Sequence, residues 1–141
     1  MDESSLPPDS EVSAAADVIR EFGHYAGRRF YAGVTPDHAG GSVTVHRLPD
    51  RDFDGEVRAL VPRTVMLAFA DAPHTRDELI AARETVWLLG ETLHVQSVSL
   101  PQDGTTLTVV VEADADAAQR ILDEAAPHLV RVELGTTVAS P

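Results

Sequence analysis

The chain contains no cysteine. Disulfides, thiolate nucleophiles and cysteine-ligated zinc are therefore excluded. Aromatic residues are only 5% of the 141, so the apolar interior has to be built from Val, Leu, Ile and Ala. Basic residues are scarce: 11 Lys and Arg stand against 23 Asp and Glu, a formal net charge of −12. Nucleic acid requires a basic footprint that displaces phosphate counterions, and anionic membranes attract basic segments, so neither is an expected partner. So acidic a surface serves plain solubility first and a basic partner second. No run approaches the roughly twenty apolar residues of a membrane span. The opening Met-Asp-Glu-Ser-Ser-Leu-Pro-Pro-Asp-Ser has neither the basic nor the apolar region of a secretory leader, which makes the cytoplasm the expected location. Glycines fall in turns rather than in a G-x-G-x-x-G or phosphate loop, and no G-x-S-x-G is present, so no cofactor is expected.

What the chain does have is an internal repeat. Val43, Val45, Asp50 and Val57 correspond to Leu107, Val109, Asp114 and Ile121 at an offset of 64 residues. From Pro62 and Pro127 onward the offset becomes 65, with Val65, Leu67 and Phe69 matching Val130, Val132 and Leu134. Matched parity sets the register, so Val57 and Ile121 are expected at equivalent buried positions, with the extra residue in the turn before Pro127. Each copy reads strand, glycine turn, strand, Asp-led helix, proline, strand. A unit this small cannot bury both faces of its sheet, so two packed copies are expected. The fold class is α+β: two split β-α-β-like ββαβ repeats with an N-terminal helix and a connecting helix. In each copy a right-handed crossover is expected to lay the third strand beside the first, parallel to the second.

Along the chain, residues 1–10 are polar and Pro-rich, a disordered tail. Residues 11–28 hold a helix capped by Ser10, with Val12, Ala15, Ala16, Ile19 and Phe22 on one face up to Gly23, and a linker. The first ββαβ unit spans 29–71. Its helix carries a Phe53, Val57 and Leu60 stripe, and Met66, Ala68 and Ala70 give its last strand two apolar faces, so both are expected to be covered. Residues 72–92 form the connecting helix. Thr75 and Glu78 make a capping-box pair, the stripe is Leu79, Ala82, Val86 and Leu89, and Gly90 suits the C-cap. The second unit spans 93–135, and 136–141 is a short tail.

Chemistry-bearing patterns are sparse. The six histidines form no H-E-x-x-H or H-x-H pattern. His38 and His46 approach each other across the first hairpin with Asp37 near, a two-histidine, one-carboxylate arrangement. The plainer account is exposed polar residues on a turn and on the solvent face of a strand. The second copy has Gln102 and Val110 in those places, so no site is shared by the repeat. Asp50, Asp52, Asp54 and Glu56 complement a helix dipole, and the spacing of a calcium loop is missing. No metal is expected. Trp87, the one tryptophan, lies beside the main helical stripe with Ile80 and Arg83 and is assigned to the core, with an interface anchor as the alternative.

Phe30-Tyr31-Ala32-Gly33-x-x-x-Asp37, followed by Gly40-Gly41 and Val43-x-Val45, resembles the opening of the pro-regions of α-lytic-protease-like and streptogrisin-like serine proteases. The Thr75-x-x-Glu78-Leu79 helix, the second hairpin and the Ala-rich helix before Val130-x-Val132 continue the resemblance over about residues 28–135. It implies an α+β scaffold that binds its protease through a sheet edge and a C-terminal tail. The matching edge would be Leu129, Val130, Arg131, Val132, Glu133 and Leu134. The sequence departs from the pattern at Val34-Thr35-Pro36, where such pro-regions often carry tryptophan.

The leading expectation is therefore a non-enzymatic scaffold that acts through protein–protein contact, with Leu129–Leu134 as the partner-binding strand. The alternative is a small-molecule-binding regulatory domain with its ligand between the repeats. Catalysis would require His38, His46 and Asp37, or His94, to line a pocket.

Overall fold

The structure is a computed structural model that describes residues 9–135. Both tails expected from the sequence therefore lie largely outside the described residues. The elements are α1 (Asp9–His24), β1 (Tyr31–Asp37), β2 (Ser42–Arg47), α2 (Arg51–Leu60), β3 (Met66–Asp71), α3 (Arg76–Leu88), α4 (Gly90–Leu93), β4 (Val95–Ser99), β5 (Leu107–Val111), α5 (Ala115–Ala125) and β6 (Val130–Leu134). The fold is α+β, with two similar ββαβ units, each carrying a three-stranded sheet. Among the described residues no helix is long and apolar enough to cross a membrane.

One compact unit ends at Asp77 and takes in Gln102–Gly104; the other holds Glu78–Pro101 and resumes at Thr105. In the first unit, β1 pairs antiparallel with β2, and β2 pairs parallel with β3. Val43 and Val45 point to one face, where Val12, Ala15, Ala16 and Ile19 of α1 and Phe53 and Val57 of α2 close the core. Burying these chains drives the packing at about 25 cal/mol per Å2 of apolar surface removed from water. Asp50 caps α2 by accepting from the Phe53 N–H at 2.9 Å, which satisfies a backbone donor the helix cannot. Gly23 lies inside α1 rather than ending it, and the Tyr31 ring rests on it so closely that a Cβ would collide with the ring. Ser10 likewise lies within the helix.

The second unit repeats this plan. β4 pairs antiparallel with β5, and β5 pairs parallel with β6. Leu107, Val109 and Val111 form the core with Ala118 and Leu122 of α5 and Leu79, Ala82 and Val86 of α3. A bulge falls between Tyr31 and Gly33 in the first unit and between Val95 and Ser97 in the second, at the same offset of 64 residues. The hairpins thus repeat residue for residue, including their irregularity.

Beyond the hairpins several expectations need correction. The sheet orders are β1-β2-β3 and β4-β5-β6, so the third strand lies beside the second rather than the first. Pairing directly with its parallel neighbour leaves the third strand at a sheet edge. The helices do not match at an offset of 64. Ile121 is 41% exposed and Leu122 fully buried, so Leu122 is the counterpart of Val57 and Ala118 that of Phe53. The extra residue therefore sits at the start of α5, not before Pro127. There Asp114 takes a left-handed conformation (φ 58°) and makes no side-chain cap, whereas Asp50 is extended and caps. The third strands also shift: Val43 faces Leu67, but Leu107 faces Val130. A two-residue slip keeps every side chain on its face, which is why the hydrophobic pattern does not reveal it.

Other side chains are more exposed than expected. Leu60, Met66 and Trp87 are exposed. Met66 and Ala68 are exposed on the sheet face opposite the core, which they share with the half-buried Thr44, His46 and Ala70. At Trp87 the preceding Val86 takes the core position and leaves the indole on the flank of α3. Gly90 opens the short helix α4 rather than capping α3.

Candidate functional site

The expected partner-binding strand, Leu129–Leu134, is β6 with the residue before it, and it is a sheet edge. Leu107 N–H donates to the Leu129 carbonyl and Gly135 N–H to the Val111 carbonyl. Residues 129, 131, 133 and 135 therefore turn their backbone groups to β5, and 130, 132 and 134 turn theirs outward. Two outward groups are already taken. The Gln119 side chain on α5 donates to the Val130 carbonyl at 3.0 Å and accepts from the Val132 N–H at 2.8 Å. One primary amide thus occupies the acceptor and donor that an added strand would use, and so blunts the edge as a covering helix or loop would. Arg131 and Glu133 pair with each other at 2.6 Å on the sheet face.

β3 is the equivalent edge of the first unit. Met66 N–H donates to the Gly41 carbonyl and Ala72 N–H to the Arg47 carbonyl, so Leu67 and Phe69 turn their backbone groups outward. By ladder position Leu67 and Phe69 correspond to Val130 and Val132. Among the described residues nothing bonds to those outward groups. The reason is local. The position of Gln119 is held here by Asp54, which is drawn inward by Arg47. The Arg47 Nε and Nη2 donate to the two Asp54 carboxylate oxygens at 2.8 Å each, and Nη1 reaches Asp71 at 2.6 Å. Arg47 is 9% exposed, and these carboxylates hold its guanidinium well above its usual range, Asp54 contributing most. Its counterpart in the second unit is Val111, which leaves α5 free to carry the amide.

Beside β3 runs a groove of about 510 Å3 lined by Arg58, Val61, Pro62, Arg63, Val65 and Leu67. The Arg58 guanidinium lies 5.0 Å from the Phe69 ring centroid, and that of Arg47 lies 5.2 Å from it. Arg58 and Arg63 thus border the groove, next to the outward backbone of Leu67, while Arg47 stays buried against Asp54.

The histidine constellation does not assemble as a two-histidine, one-carboxylate site. His46 Nε2 lies 3.0 Å from the Thr35 hydroxyl, and Asp37 accepts from the Gly40 N–H at 3.1 Å. Partial burial lowers the His46 pKa, and the charge of Asp103 partly offsets it. Among the described residues no group of three or more His, Asp or Glu is placed to hold a metal ion. His94 ends α4 in a left-handed conformation (φ 53°). Sequence reasoning missed Gln119, Arg47, Asp54 and the β3 groove. The one available signal was the pairing of Asp54 with Gln119, which needs the helix offset of 65 that only the structure reveals. Neither a protein-family model nor a curated protein matches the chain.

Proposed function

We propose that the protein is a non-enzymatic docking domain that takes up an extended segment of a partner protein as a fourth strand beside β3. The observation that carries this reading is the contrast between the two edges. Val130 and Val132 are bonded by Gln119, while Leu67 and Phe69, in the same ladder positions, have outward groups that bond to nothing among the described residues. Main-chain bonds to such an edge supply affinity, and the alternating side chains of the added strand supply specificity. Contact through a sheet edge is also what the pro-region resemblance implies, here on β3 rather than β6.

The test is to transplant the covering amide. The double variant Arg47→Val with Asp54→Gln reproduces the residues of the second unit at both positions. Peptides selected from a displayed random library against the native chain should lose binding to this variant, with its circular dichroism unchanged. Equal binding to both proteins rejects the reading.

A further inference from the structure

We infer that the segment taken up beside β3 is acidic: an extended peptide with a carboxylate and an aliphatic side chain two positions apart. The inference rests on the strand-addition reading and specifies its partner. A strand paired with Leu67 and Phe69 projects every second side chain to the same side of the sheet as those residues, the side on which α2 packs. The groove of about 510 Å3 lies on that side, at the end of α2 and the start of β3. Two successive side chains of the added strand on that face therefore meet its lining.

The lining has two parts. Val61, Pro62 and Leu67 contribute an apolar part of the lining that an aliphatic group can meet. Arg58 and Arg63 border it, and both are exposed. Neither makes an ion pair among the described residues. In a chain with 11 basic and 23 acidic residues, two unpaired guanidinium groups bordering one groove are a local exception to the overall charge. Arg58 is held over the Phe69 ring at 5.0 Å, which fixes its planar fork near the open edge. A fork of this kind suits a carboxylate, to which it can donate two parallel hydrogen bonds. The net charge of −12 repels acidic partners only over the screening length, about 8 Å at physiological salt, so contact at the groove decides affinity.

The experiment measures binding of labelled synthetic peptides to the full chain by fluorescence anisotropy. Three extended peptides share a Val and Thr background and one Leu, with Glu, Gln or Lys two positions from it. The Glu peptide is expected to bind about tenfold more tightly than the Gln peptide, and the Lys peptide more weakly still. Arg58→Gln with Arg63→Gln, both at exposed positions, should erase the preference of Glu over Gln. If the three peptides bind alike and Arg47→Val/Asp54→Gln abolishes all three, the edge is the site and the acidic partner is rejected. If that double variant binds the Glu peptide as the native chain does, the strand-addition reading itself fails. If no peptide binds and sedimentation shows self-association lost in the double variant, the occupant of the edge is a second copy, and the inference is overturned.

Discussion

Replacing Leu122 by Ala removes three carbons from a fully buried side chain. At about 0.8 kcal/mol for each buried methylene, the transfer loss alone is about 2.4 kcal/mol. The side chain packs among Leu79, Val86, Leu107 and Val109, all without exposed surface, so the space left behind cannot collapse freely. With the cavity contribution the expected loss is about 3–4 kcal/mol. Ile121, one residue earlier and 41% exposed, should cost less than about 1 kcal/mol on the same change. Equilibrium urea unfolding provides the assay. The single tryptophan, Trp87, lies in the same compact unit as both sites and reports on its loss of structure. Equal losses, or a larger one at Ile121, would refute the helix register and restore the pairing of Ile121 with Val57.

Gly33→Ala should destabilise the first unit by about 1–3 kcal/mol, because a Cβ there runs into the backbone carbonyl of Gln102; an unchanged melting temperature would mean that this carbonyl does not rest on β1. Gln119→Leu should cost about 1 kcal/mol and speed exchange of the Val132 amide, since water replaces the lost bonds at an edge; unchanged exchange would show that the side chain does not cover it. His46 has a lowered pKa in the folded state, chiefly from burial, so the unfolded chain binds the proton more readily. Its contribution is therefore present above the unfolded pKa of about 6.5 and is lost as pH falls through the lower folded value; His46→Gln should flatten that part of the stability profile, and an identical profile would contradict the assignment.

The hairpins were legible because period-two alternation identifies inward residues directly. Val43, Val45, Leu107 and Val109 are all buried as expected. The α+β class and the paired ββαβ units followed from the same pattern. The helix pairing was not legible. Val57 has a counterpart of the right type at either offset, Ile121 or Leu122, and apolar identity does not choose between them. Composition cannot tell a core tryptophan from an exposed one when its neighbour Val86 fills the core equally well. The candidate site was hidden for a different reason. Whether a sheet edge is open depends on where one side-chain amide reaches, and Gln119 reads in sequence as an ordinary polar helix residue. Its replacement by Asp54 matters only because Arg47, a charged residue on an otherwise apolar strand face, draws that carboxylate inward.

Residue-resolved amide hydrogen exchange tests the central claim most directly. The native chain alone should show fast exchange at Leu67 and Phe69, whose N–H groups face outward from β3 and have no partner among the described residues. The Ala68 and Ala70 amides, turned toward β2, and the Val132 amide, bonded to Gln119 at 2.8 Å, should be protected. Protection of Phe69 equal to that of Ala68 would show that the β3 edge is already covered, and would contradict the docking account.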